Sequence, residues 1–230
     1  MNKFWNWRNS DEGRTLYFDG YIAANSWYDD DITPKKFKAE LTESTGDISV
    51  WLNSPGGDAL AASQIYTMLK EYNGKVTVKI DGLAASAVSV VAMAGDEVVM
   101  SPTACIMVHN PATMIFGEAA DFQSGIKMLS EVKEGIINAY HQKTGLSRAK
   151  ISSMMDAETW FSAQKAVELG FADKILYAPD QVEATEGFIF DKITVTNALR
   201  RKLPKEKQES EAQPQGVPHQ ELLTRLNLLK

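Results

Sequence analysis

The residue pattern predicts an α/β domain with mainly parallel strand pairing, on three observations. Short runs with apolar residues at period two recur along the chain, Ile48, Val50 and Leu52 among them. Between them lie stretches with apolar residues at helical spacing, such as Ala62, Ile65, Met68 and Leu69. The two kinds of segment alternate rather than running in blocks. A length of 230 residues, 44% hydrophobic and 23% charged, is enough for a full core and for short appendages.

In order, residues 1–15 read as an N-terminal arm carrying Phe4, Trp5 and Trp7. Those aromatics serve either docking or packing back on the parent domain, and the sequence leaves both open. Leu16 to Ile22 reads as a strand. Thr33-Pro34 marks a helix start, a capping hydroxyl followed by proline at the first helical position, and the helix runs to Leu41. Asp47 to Leu52 is a strand ending in Asn53-Ser54-Pro55-Gly56-Gly57-Asp58, and a helix follows. Val76 to Ile80 is the next strand, after which Asp81-Gly82 is read as a turn into a helix from Ala84 to Ala94. Glu97–Met100 and Cys105–Val108 are strands around a Ser101-Pro102 turn. A long amphipathic helix is expected over Glu118–Gln142, stopped by Gly145. Ser147 caps another helix ending near Met155, Gln164–Leu169 is a short helix closed by Gly170, and Asp173–Leu176 is a last strand. This gives a domain over residues 16–182. Residues 183–230 form an extension, with a polar, proline-containing linker at 202–218 and a short amphipathic helix at 221–229.

Composition narrows the function. With 24 Lys and Arg against 30 Asp and Glu the net charge is −6, which argues against a phosphate-backbone binder. The single cysteine, Cys105, forms no intrachain disulfide and fits a reducing compartment. The opening residues lack the apolar core of a secretory signal, and the longest apolar run, 83–95, is too short to span a bilayer. The expectation is a soluble cytoplasmic protein that engages neither membrane nor nucleic acid. His109, His141 and His219 share no ligand spacing, so no metal site is expected, and no nucleotide-binding glycine fingerprint is present.

Three segments at strand ends carry chemistry. In Asn53-Ser54-Pro55-Gly56-Gly57 the glycines allow close backbone approach to exposed N–H groups; an ordinary strand-to-helix turn would use the same residues. In Gly82-Leu83-Ala84-Ala85-Ser86-Ala87, Ser86 falls in the first turn of the expected helix, flanked by small residues. The Ala87 N–H there points to where an oxyanion would form. This stretch differs from the G-x-S-x-G elbow of α/β-hydrolases. In Met107-Val108-His109-Asn110-Pro111, a histidine ends an apolar strand beside a proline turn. A lone histidine is commonly structural, but a serine nucleophile needs a base, and the base needs a group to orient it. Asp156 and Glu158 are the candidates for that group.

These pieces, followed by Phe161-Ser162-Ala163-Gln164-Lys165-Ala166-Val167-Glu168-Leu169-Gly170-Phe171-Ala172-Asp173, stand in one order. In that order the chain resembles the proteolytic subunit of the Clp protease, a serine peptidase, from about Leu16 to Leu176. The resemblance implies the Clp/crotonase fold, stacked βαβ units with the long helix projecting. It implies Ser86 as nucleophile, His109 as base, and Gly57 and Ala87 as oxyanion-hole residues. Asp58, Pro111 and Ala112 would line an extended substrate strand, and no cofactor is needed. By register with Phe161-Ser162-Ala163 the acid falls on Glu158, a departure from the family's aspartate, and Asp156 stays an alternative. Lys3-Phe4-Trp5-Asn6-Trp7, Ile80 to Ser86 and Glu158-Thr159-Trp160 are similar to Clp-like head maturation proteases of phages and prophages. That likeness implies cleavage of capsid, scaffold or portal proteins inside a prohead. The family further implies homo-oligomeric rings, singly or as a stacked pair, and a Clp-type ATPase as a potential partner. Two rival readings are a non-catalytic structural component of the prohead and a crotonase-type acyl-CoA enzyme.

Overall fold

The computed structural model describes residues 6–10, 13–25, 32–43, 45–177 and 189–191. Among these, nine strands form one sheet: β1 (Asn6–Ser10), β2 (Gly13–Phe18), β3 (Ile48–Ser54), β4 (Val76–Ala85), β5 (Glu97–Met100), β6 (Cys105–Val108), β7 (Thr159–Ser162), β8 (Lys174–Ile175) and β9 (Ile189–Asp191). The helices are α1 (Pro34–Leu41), α2 (Ala59–Lys70), α3 (Ala87–Ala92), α4 (Ala119–Thr144), α5 (Arg148–Asp156) and α6 (Ala163–Glu168). The order along the sheet is β1-β2-β3-β4-β6-β7-β9, and β5 pairs with β4 and β8. Pairing is parallel from β2 to β6 and between β5 and β8. It is antiparallel at β1–β2, β6–β7 and β7–β9.

The helix boundaries follow their caps. The Thr33 hydroxyl accepts from the Lys36 N–H, and proline occupies the first turn of α1. The Asp58 carboxylate accepts from the Ala61 N–H at 2.8 Å and starts α2. Gly145 ends α4 in the left-handed conformation at φ 69°, where L side chains are strained and glycine is not.

One expectation is corrected by the sheet. Asp81-Gly82 is not a turn into a helix at Ala84, because β4 continues to Ala85 and α3 begins only at Ala87. Register explains the change: Leu52 faces Ile80 but Ser54 faces Ala84, so β4 bulges opposite Asn53. The Asn53 side chain occupies the bulge and accepts from the Leu83 N–H at 3.2 Å. A Cβ on Gly82 would lie 2.6 Å from Asn53 Oδ1, so a larger residue there would push the Asn53 amide out of the bulge. At this bulge β4 changes partner, from β5 over Thr77–Ile80 to β6 over Leu83–Ala85.

The sheet also reaches beyond 16–182 on either side. β1 carries residues read as arm, and β9 lies past the expected end of the domain. Trp7 takes the packing role: its ring lies 3.7 Å from the Arg14 guanidinium and packs against the core. Arg14, only 7% exposed, donates to the carbonyls of Glu40 at 2.7 Å and Leu41. The strand read as Leu16–Ile22 is placed at Gly13–Phe18, with Ile22 in separate bridges to Ile32 and Gly57. β7 was not anticipated as a strand, and the last expected strand shrinks to Lys174–Ile175. Phe4, Trp5, the 202–218 linker and the 221–229 helix lie outside the described residues.

The core joins the apolar face of the sheet to α2, α3 and the C-terminal half of α4, which contributes Ile136, Ile137 and Tyr140. Phe171 packs at a tilt between Tyr140 and Phe161, at 5.4 and 5.0 Å between ring centroids. The N-terminal half of α4 is exposed but for Gly125 and the half-buried Leu129, so the helix projects from the domain as expected.

Candidate active site

Parallel β4 and β6 deliver Ser86 and His109 to the same end of the sheet. Leu83 pairs with Cys105 and Ala85 with Met107, and the ladder closes with the Ser86 N–H donating to the Met107 carbonyl at 2.9 Å. Ser86 then turns sharply from strand to helix at φ 55° and ψ −125°, a conformation that an L residue adopts at a cost of about 1–3 kcal/mol. A serine at a helix N-cap ordinarily accepts from a first-turn N–H. Ser86 makes no such bond, and its Oγ lies 2.6 Å from His109 Nε2. The expectation that Ser86 sits inside the first helical turn is therefore revised by one step: it is the elbow itself.

Gly56 and Gly57 press against this elbow and against the Ile22 segment. A Cβ on Gly56 would meet Ser86 Cβ and the Ala85 carbonyl, each at 2.8 Å. One on Gly57 would lie 2.0 Å from the Ile22 carbonyl oxygen, and φ is 142°. Ile22 bonds the Gly56 carbonyl at 2.9 Å and the Asp58 N–H at 2.8 Å. In a parallel bridge this turns the Gly57 N–H away from Ile22, and Gly57, Ser86, Ala87 and His109 together line one cavity of about 310 Å³.

Asp58, Pro111 and Ala112 line that cavity too, with Leu60, Met128, Leu129 and Val132 among its apolar wall. The Asp58 carboxylate is engaged in capping α2. Ser89 and Tyr140, neither of which stood out as functional in sequence, join by a hydroxyl contact of 2.7 Å beneath the elbow.

The two acid candidates sit differently. Asp156 Oδ1 accepts from Lys133 Nζ at 2.6 Å and from Asn110 Nδ2 at 2.8 Å. Lys133, then Asn110, hold its carboxyl below the usual aspartate range. Glu158 is half-buried, with φ 49° between α5 and β7. The β6–β7 register ends at Val108 paired with Thr159, so His109 and Glu158 are the residues that adjoin its last pair. Ser86 and Glu158 are two of the three non-glycine residues with positive φ among the described residues. Such strain gathers at functional sites.

Burial pushes the Cys105 thiol up, away from thiolate chemistry at neutral pH. Among the described residues no three His, Cys, Asp or Glu side chains group so as to hold a metal ion. No helix among them is long and apolar enough to cross a membrane.

A family model described as Clp protease matches residues 20–179. The chain belongs to the Clp protease family. It is 32% identical over 167 residues to the ATP-dependent Clp protease proteolytic subunit 1 of Protochlamydia amoebophila, covering 71% of this chain and 81% of that protein. To the subunit of the same name in Chlamydia muridarum it is 34% identical over 171 residues, covering 73% and 88%. To the Clp protease proteolytic subunit of Bacteroides fragilis it is 30% identical over 154 residues, covering 64% and 74%. The mixed α/β sheet is the Clp/crotonase-type fold, and the chain is a serine peptidase of the Clp type. Every site residue described above, from Gly56 to Glu158, falls inside the matched span.

Proposed function

We propose that this chain is a Clp-type serine endopeptidase in which Ser86, His109 and Glu158 act as a triad. The observation that carries the reading is the 2.6 Å contact of His109 Nε2 with the hydroxyl of a strained strand-to-helix serine. With its proton on Nδ1, His109 accepts the Ser86 proton at Nε2 as Oγ attacks the scissile carbonyl. The Gly57 and Ala87 N–H groups receive the oxyanion, and His109 returns the proton to the leaving amine. Glu158 orients the ring and stabilises its charged form, while Asp156 ties Asn110 to α4. An extended peptide runs between the backbone after Gly57 and that of Pro111 and Ala112, with a side chain in the apolar cavity.

The subunits assemble in this reading as a ring, or two stacked rings, through the exposed apolar surface of Met114, Phe116, Phe122, Ile126 and Met128. The relatives are named as subunits of ATP-dependent proteases, which makes a Clp-type ATPase the candidate partner. The finer assignment is head maturation, cleavage of capsid, scaffold or portal proteins in a bacterial or phage-infected cytoplasm. Support for it is the sequence likeness of the opening residues and of Glu158-Thr159-Trp160.

Fluorophosphonate labelling tests the nucleophile: the wild type takes one adduct at Ser86, and Ser86→Ala takes none and cleaves no peptide while keeping its fold. Co-expression with neighbouring capsid genes tests the substrate. Intact masses of the capsid proteins are expected to shorten with wild type only; unchanged masses beside an active peptidase refute the head-maturation assignment alone.

A further inference from the structure

Beneath the elbow lie two hydroxyls that the triad does not use. Ser89 is fully buried and Tyr140 is 1% exposed, yet they contact each other at 2.7 Å. Ser89 Oγ also donates to the Ser86 carbonyl at 2.5 Å. A serine hydroxyl has one proton, and a carbonyl can only accept. The direction of the chain is thereby fixed: Tyr140 O–H donates to Ser89 Oγ, and Ser89 O–H donates to the Ser86 carbonyl. Burial pushes the Tyr140 hydroxyl well above its ordinary pKa, so it stays a donor throughout the working range. Packing alone does not call for these groups, since an alanine and a phenylalanine of the same shape would fill the space at little cost.

The Ser86 carbonyl and the Ala87 N–H are the two ends of one trans peptide unit, pointing to opposite sides. Whatever holds the carbonyl aims the N–H. We propose that Ser89 and Tyr140 are positioning residues for the oxyanion site, clamping the Ser86–Ala87 peptide so that the Ala87 N–H stays directed into the cavity. The clamp completes the restraint of the elbow. The Ser86 N–H is fixed by the Met107 carbonyl on one side, and the Ser86 carbonyl receives both the Ser89 N–H at 3.0 Å and the Ser89 hydroxyl on the other. This inference rests on Ser86 and Ala87 having the roles proposed above.

The test compares Ser89→Ala, Tyr140→Phe and the double variant in peptide cleavage, in inhibition by a peptidyl boronate, and in melting. The phenylalanine keeps the ring against Phe171 and decides the matter where Ser89→Ala fails to fold. The expected result is a kcat lowered about 10- to 100-fold with KM within about twofold, less than the loss of a whole oxyanion donor. Boronate affinity should fall in parallel, because its tetrahedral adduct fills the oxyanion site, and the double variant should be no worse than Ser89→Ala. Unchanged kcat in a folded variant overturns the proposal. So does lost activity with boronate affinity intact. Ser86→Ala in the same assay separates the two readings: activity there refutes the nucleophile, whereas an inactive Ser86→Ala beside a wild-type Ser89→Ala refutes only the clamp.

Discussion

At the scale of single residues, the proposed choice of Glu158 over Asp156 rests on where each carboxylate stands. Asp156 accepts from Lys133 and Asn110, while Glu158 and His109 each adjoin the last β6–β7 pair, Val108 with Thr159. Glu158→Gln is expected to lower kcat by orders of magnitude, about 10⁴-fold in the serine-protease template, with KM little changed. Asp156→Asn should cost a few-fold at most, because the amide still bonds Asn110. Steady-state kinetics on the two variants checks this, and the reverse ranking would move the acid by two residues. The serine and the histidine were legible because their residue types and strand-end positions are local facts. The strain at Ser86 and Glu158 was not, since a positive φ on a non-glycine residue is imposed by neighbours that only the fold brings together. The Tyr140–Ser89 contact was hidden for the same reason, its partners lying 51 positions apart.

Secondary-structure elements show where pattern reading succeeded and where it gave out. α1, α4 and α5 matched their expected spans closely, and α2 forms where a helix was expected, because cap residues and apolar spacing agree there. β4 overran its reading because Asp81-Gly82, turn residues by type, serve a bulge held by a distant Asn53 side chain. β5 and β6 are as short as β7 and were read as strands, but β7 runs straight into α6, with Ser162 both its last residue and the α6 cap, so no turn residues mark it off in the sequence. The Gly57 segment gives a paired prediction. Gly57→Ala, with its Cβ against the Ile22 carbonyl, should cost about 2–3 kcal/mol in urea unfolding and abolish cleavage. Gly46→Ala, at φ 99° but with nothing within 4 Å, should cost about 1 kcal/mol and leave cleavage intact. At the start of β5, Glu97 accepts from Lys174 and Lys75, each at 2.7 Å, tying β5 to β8 and to the start of β4. The Lys174 and Lys75 bonds hold its carboxyl down at about 2, from an ordinary 4.5. A depressed folded-state value stabilises above the unfolded one. The contribution is therefore present at neutral pH and lost as pH falls from 4.5 toward 2. Melting followed by circular dichroism should show Glu97→Gln flattening that part of the acid profile.

At the scale of the whole molecule, the described domain is divided between a closed core and an exposed helix half. The apolar stripe expected on α4 divides along its length: Ile136 and Ile137 are buried, Leu129 and Val132 line the cavity, and Ile126 is 64% exposed. Charge at Ile126 should therefore leave subunit melting within about 0.5 kcal/mol of wild type. In the ring reading, Ile126→Asp breaks assembly and lowers activity together, measured by sedimentation velocity alongside peptide cleavage; a fully active monomer refutes it. The change of partner along β4 has a kinetic meaning as well. Its C-terminal end is bonded to β3 on one edge and β6 on the other, so the strand that leads into Ser86 has no open side there from which to fray. In amide hydrogen exchange such a strand releases its protons only with the opening of the entire subunit, whereas the exposed first turns of α4 exchange far sooner. Ser86 is thus mounted on a strand expected to exchange slowly among the described residues, and the surface that the ring reading offers to neighbours on a helix turn expected to exchange fast.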